Sequence, residues 1–165
     1  MPGRSLVQRM KGAAFIDVAT YEEVEADRGA TGQAAAVVAM VAVAQAIGSS
    51  SGGLFNIVGA ALGTLVGWLV WAGITYLIGA KLFKGTATWG ELLRTLGFAQ
   101  APGVLAVFAI VPVLGWFVSI ALFFWILVAG VVAVRQALDF GTGKAVATVI
   151  LGWIVLVVIR ALFQG

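Results

Sequence analysis

The sequence predicts an all-α, polytopic membrane protein, a bundle of five transmembrane helices joined by short loops. Three observations predict it. The 165-residue chain is 62% hydrophobic and only 10% charged, where an ordinary soluble domain is about 25% charged. Three stretches, 29–80, 95–134 and 145–159, contain no Asp, Glu, Lys or Arg. A helical span needs about 20 mostly apolar residues, so the first two stretches hold two spans each. The third becomes a fifth span when Ala161, Leu162 and Phe163 extend it past Arg160. Finally, lipid cannot satisfy open backbone groups, and the stretches are too long and uniformly apolar for barrel strands.

The segment 1–30 reads as a cytoplasmic N-terminal region and 31–165 as the transmembrane domain. A cleaved signal peptide is not expected, because charges of both signs interrupt the first 28 residues. Leu6, Val7, Met10, Phe15 and Ile16, set among Arg4, Arg9 and Lys11, suggest an interfacial amphipathic helix over 5–16. Thr20 followed by Glu23 fits a capping box that opens a short helix ending near Gly29. Glu22, Glu23 and Glu25 would then favour that helix's positive N-terminal end. This acidic cluster reads as a solvated helix face, or alternatively as a docking surface or cation site.

The five spans are expected at about 32–47, 54–82, 89–111, 114–138 and 143–163. The first is short and Ala-rich. Ile47 to Gly53 forms a Ser/Gly turn after it, and Pro112 to Gly115 forms a tight turn between the third and fourth. Gly59, Gly63 and Gly67 make a small-residue stripe on the second span, which lets another backbone approach closely. Its expected partner is the Ala-rich first span, or else a second protomer. Thr88 and Glu91 repeat the capping-box pattern at the start of the third span, with Trp89 at headgroup level. Pro102 inside that span frees the carbonyl of Phe98 and predicts a kink near Gln100. Gln100 then serves as hydrogen-bonding glue or as a polar substrate contact. Arg135 and Asp139 are spaced to pair at the end of the fourth span. Gly141-Thr142-Gly143-Lys144 lacks the spacing of a phosphate loop and reads as the entry to the last helix.

Orientation follows from the cations. Arg4, Arg9, Lys11 and Arg28, then Lys81, Lys84 and Arg94, then Arg135 and Lys144 fall on one side of an alternating bundle. The opposite side has only the two uncharged turns. The positive-inside rule therefore places the N-terminus in the cytoplasm and the C-terminus outside. Arg160 is the exception, snorkelling near the end of the last helix.

The same inventory restricts chemistry. There is no Cys and no His, which removes the thiolate nucleophile and the commonest general base, metal ligand and proton relay. Glu91, in the first turn of the third span, is the one acidic residue within these spans, and none lies at membrane depth, whereas ion-coupled transporters usually show one there. Gln45, Asn56, Thr64, Thr75, Gln100, Ser119 and Thr148 are the polar residues at membrane depth, and they suit inter-helix hydrogen bonds. No catalytic residue, cofactor site or metal site is assigned. The ten basic residues form no stripe, so nucleic acid is not a partner.

Three polar stretches resemble a known family. They are Ala19 to Asp27 with Ala30 to Ala34, Phe83 to Thr86 with Leu92 to Pro102, and Arg135 to Leu138 with Thr142 to Ala145. Together they are similar to the bacterial members of the YIP1 family of integral membrane proteins. The resemblance implies a five-helix domain with a cytoplasmic N-terminus, in the bacterial inner membrane. Eukaryotic relatives are linked to Rab GTPases and vesicle traffic, but their Asp-Leu-Tyr-Gly-Pro motif is absent here. Asp17-Val18 is followed instead by Ala19-Thr20. The resemblance therefore implies a fold more than an activity. The function expected is a non-enzymatic membrane scaffold or interaction protein, such as an accessory subunit of a larger complex. Its partners would be the bilayer and a membrane protein or second copy. The alternative is a small transporter or channel component, which a polar, water-filled cavity at mid-membrane would favour.

Overall fold

The computed structural model describes residues 4–49 and 53–164, and side chains to Val158 and at Ala161. Among the described residues seven α-helices follow one another: α1 (Leu6–Ala14), α2 (Val18–Ala26), α3 (Ala30–Gly48), α4 (Leu54–Tyr76), α5 (Trp89–Ala99), α6 (Leu114–Ala137) and α7 (Thr142–Gln164). Two helices continue in another geometry. A π-helical turn, Leu77–Leu82, extends α4, and a 3-10 helix, Ala101–Ile110, extends α5. No strand occurs among the described residues. By length and composition, Ala30–Gly48, Leu54–Leu82, Trp89–Ile110 and Leu114–Ala137 can each cross a membrane, and α7 adds a further apolar helix. The protein is a polytopic helical bundle.

Local chemistry sets most ends. Ser5 accepts from the Gln8 N–H, and the Gln8 side chain accepts from the Ser5 N–H at 2.8 Å, a capping box that starts α1. Thr88 and Glu91 form the expected second box at α5. The box expected at Thr20 does not form. Asp17 caps α2 instead, accepting from the Ala19 N–H at 3.3 Å, so the helix begins earlier and Thr20 is fully buried within it. Glu22, Glu23 and Glu25 consequently lie outside its first turn, where the helix dipole offers little.

The break expected at Pro102 is present. The α-geometry stops at Ala99, Gln100 caps it, and the chain continues as a ten-residue 3-10 helix. Such helices rarely exceed about four residues. Here close contact with neighbouring helices holds it. Gly48 of α3 rests on the Ala106 carbonyl, Gly115 of α6 rests on the Ala109 carbonyl, and a Cβ at Gly103 would lie 2.6 Å from Val41.

The core centres on α3, the span that looked least substantial in sequence. Ala34, Val37, Val38 and Val41 are completely buried against α5, its 3-10 extension and α4. Ala34 meets Gly97, where a Cβ would approach to 2.8 Å. Ala13, Tyr21 and Val24 of α1 and α2 belong to the same core as Leu92 and Val134. The α1 helix is thus folded onto the end of the bundle rather than lying free as an amphipathic strip.

The glycine stripe is placed differently from the sequence expectation. Gly59, Gly63 and Gly67 are exposed, and a Cβ at any of them would meet nothing within 4 Å. Helix α3 does touch α4, but not through these glycines. The outer part of α4 projects from the bundle, with Leu54 77%, Phe55 95% and Leu62 60% exposed. Of the Ile47–Gly53 turn, Ser50, Ser51 and Gly52 lie outside the described residues, as does the side chain of Arg160.

Candidate functional site

Two places in this fold concentrate polar groups: a charged latch at one end and a lateral groove at membrane depth. The latch joins α1 and α2 to the bundle. Arg9 lies on the face of α1 that also carries Leu6, Met10 and Ala13, so its aliphatic stem is drawn inward. Its guanidinium is almost fully buried. It donates to Asp27 at 2.7 Å, to Glu23 at 3.0 and 3.1 Å, and to Gln33 at 2.9 Å. Burial would lower the Arg9 pKa, but the hydrogen bonds to Asp27 and Glu23 win and raise it. Arg4 adds ion pairs to Asp17 and Glu23, each at 3.2 Å. Hydrogen bonds from Thr20 and Arg4 hold the Asp17 carboxyl below its usual range, and that from Arg9 does the same for Asp27.

Arg94 performs a different task from a loop cation. It is buried in the middle of α5, and its Nε donates to the carbonyls of Val24 at 2.9 Å and Glu25 at 3.0 Å. A positive group thus closes the C-terminal end of α2, where carbonyls lack helical partners. Glu25 sits over this contact. Burial pushes its carboxyl up to about 7, with Glu91, Asp139 and Glu22 adding repulsion and Arg94 opposing them. The acidic cluster is therefore split. Glu23 is spent on Arg4 and Arg9, Glu22 accepts from Gln136 of α6 at 3.2 Å, and Glu25 lies against the Arg94 junction. Asp139 does not pair with Arg135; it accepts from Thr86 at 2.7 Å, while Arg135 donates to the neighbouring Gln136. The basic segments do converge at one end, where Phe83 packs edge-on against Phe140.

The groove is a cavity of about 650 Å³ between α4 and α7 on one side and α5, its 3-10 extension and α6 on the other. Leu96, Gly103, Leu122, Ile126, Val149 and Trp71 are among its walls. Phe123, Leu127, Ile150 and Trp153 bring its rim to the lipid-facing surface. Gln45, Gln100 and Ser119 line it, and no lining residue is charged. Ser119 is already satisfied, donating to the Gly115 carbonyl at 2.8 Å. The family model for the Yip1 domain matches residues 14–163.

The chain belongs to the Yip1 family. No curated protein and no solved structure matches it. The Yip1 domain takes in α2 to α6 completely, together with the last residue of α1 and nearly all of α7. It therefore includes Arg94, Gln100 and the whole groove, whereas Arg9 precedes it.

Within this Yip1 domain, the break at Pro102 serves to set Gln100 at the groove, on the cap of α5. Pro102 itself is buried. The glycine stripe lines neither the groove nor the latch. Four residues of consequence escape a sequence reading: Arg9, Arg94, Trp68 and Trp125. Trp125 donates to the Ala14 carbonyl at 2.7 Å and ties α6 to α1, and Trp68 donates to the Leu93 carbonyl at 3.1 Å. Arg9 had a detectable signal, since it falls at helical spacing with Leu6, Met10 and Ala13. Among the described residues, no group of three or more Asp, Glu, Cys or His could hold a metal ion.

Proposed function

We propose that this Yip1-family protein is a non-enzymatic membrane scaffold, an accessory subunit that docks against another transmembrane protein. The supporting observation is the outer part of α4. Leu54, Phe55, Val58 and Leu62 are at least half exposed, and Gly59, Gly63 and Gly67 face open space. Glycine weakens a helix by about 1 kcal/mol relative to alanine, and here no close contact within the chain offsets that cost. In lipid, small residues at four-residue spacing favour helix association through close backbone approach. The charged latch at the opposite end makes α1 and α2 a firm part of the bundle, giving the scaffold one stable end and one projecting arm. We assign the charged end to the cytoplasm of a bacterial inner membrane, from the clustering of cations there.

The test is a photo-crosslinking amino acid placed at Phe55 or Gly63 in native membranes, with Trp116 on α6 as control. Protein adducts from α4 positions, absent at Trp116, support the reading. Adducts to lipid alone at all three positions would refute it. The groove favours a second reading, a small transporter component, because its wall carries the amide of Gln100. Proteoliposomes showing solute flux lost in Gln100→Leu would promote that reading.

A further inference from the structure

The groove carries an inference independent of either reading. We infer that it is a binding site for an uncharged lipid bearing a free hydroxyl, of the diacylglycerol class, with the hydroxyl at Gln100 and a chain along α6. Depth is the first argument. Gln100 lies eleven residues beyond Trp89 and ten before Ile110, which is roughly 17 Å of α-helix and 20 Å of 3-10 helix. It is therefore close to the middle of a core about 30 Å thick. Phospholipid headgroups do not reach that depth, and no charged side chain lines the cavity to receive one. An uncharged head is required.

The second argument is chemical. The Gln100 side chain is half-buried and has no hydrogen-bond partner among the described residues. A carboxamide offers both a donor and an acceptor, and in hydrocarbon neither is satisfied by water. A hydroxyl answers both. A ketone or ester carbonyl answers only the amide N–H.

The third argument is shape. The α6 wall runs from Ser119 to Gly130, about 17 Å at helical rise, which is long enough to lie along most of an extended acyl chain. The volume falls within the range of ligand cavities. Gly130 lines this wall, yet a Cβ there would meet nothing within 4 Å. A glycine with no backbone to accommodate leaves room in the cavity itself.

The test uses the full chain in a mild nonionic detergent, with a diacylglycerol that carries a photoreactive diazirine on one acyl chain. Labelled peptides are mapped by mass spectrometry. Unlabelled dioleoylglycerol, its hydroxyl-acetylated derivative and dioleoylphosphatidylcholine serve as competitors. We expect labels on α6 between Ser119 and Gly130 and on α7 near Trp153. Dioleoylglycerol should compete, the acetylated form should be about tenfold weaker, as for one lost hydrogen bond, and phosphatidylcholine should be weaker still. Gly130→Leu should abolish groove labelling by filling the space. Gln100→Leu should equalise the hydroxyl and acetylated competitors. Equal competition by phosphatidylcholine, or labelling spread evenly over the outer part of α4, overturns the inference. The wild-type competition series decides it alone should either variant fail to fold.

Discussion

Replacing Arg9 by Met should cost the protein about 2–3 kcal/mol of stability. Met retains most of the aliphatic volume of the Arg stem, so the loss reports the guanidinium rather than a cavity. Removing one member of a fully buried ion pair costs about 3–5 kcal/mol, and an exposed pair is worth at most about 1. Arg9 belongs to the first class, since its side chain is 4% exposed, but Glu23 and Asp27 are 27% and 41% exposed. Glu23 would keep Arg4 at 3.2 Å, and Asp27 would keep the Gly29 N–H at 2.8 Å. Only Gln33 loses its neutral hydrogen bond outright. The expected cost therefore falls between the two limits. The assay is reversible unfolding in detergent, run as a double-mutant cycle with Asp27→Asn. A measurable coupling is expected at low salt, falling when salt is raised. A coupling indistinguishable from zero would mean that α1 is not held as the structure has it.

Four further outcomes follow from other contacts. Glu25 titrates near 7 in the folded protein, above its unfolded value, so the stability it contributes is present at pH 4.5 and lost as pH rises through 7. Its half-exposure limits this to about 1–2 kcal/mol, and Glu25→Gln should flatten a stability profile measured between pH 5 and 8. Asp17 and Asp27 act oppositely, their contribution holding above their unfolded values and failing only in stronger acid. Thr75→Val should raise the melting temperature by the equivalent of about 1 kcal/mol, because the Thr75 hydroxyl is buried without a partner; a lower melting temperature would show that the hydroxyl is satisfied. Gly97→Leu should destabilise by more than about 2 kcal/mol through its clash with Ala34, while Gly63→Leu should leave the melting temperature unchanged. A single cysteine at Val113 should react with a membrane-impermeant maleimide on intact cells, and one at Lys84 only after permeabilisation; the reverse pattern would invert the orientation.

The helices were legible because their signals are local or charge-based. The charge-free stretches cover most of every span, Thr88 with Glu91 marks the start of α5, and Pro102 marks the change from α-helix to 3-10 helix. The start of α2 was not legible from Thr20 alone, because Asp17 offers an equally good cap three residues earlier and tertiary burial of Thr20 selects it. The latch was hidden for a different reason. A basic residue near a membrane protein's terminus is ordinarily assigned to headgroups or to the positive-inside bias. Arg9 and Arg94 are instead satisfied by groups 14 and 69 residues away. Spacing along the chain carries no trace of such partners.

The glycines show most sharply what a one-dimensional pattern conveys about packing in lipid. Gly59, Gly63 and Gly67 have the spacing that signals association, yet they touch nothing. The glycines that bring backbones together are Gly48, Gly97 and Gly115, which form no regular series. The difference is geometric. A repeat of four places residues along one helix face and suits a long contact between two straight helices. In this bundle α3 packs against a partner that changes pitch at Gln100, from 3.6 to 3.0 residues per turn. A contact face on such a partner cannot keep one sequence period, so its small residues fall at irregular intervals. The regular stripe on α4 has the form suited to a straight, uninterrupted helix; α3 is such a helix, but it meets α4 away from these glycines. That is the physical reason to look for its partner outside the chain, and to expect that partner to present a helix without a proline at the same depth.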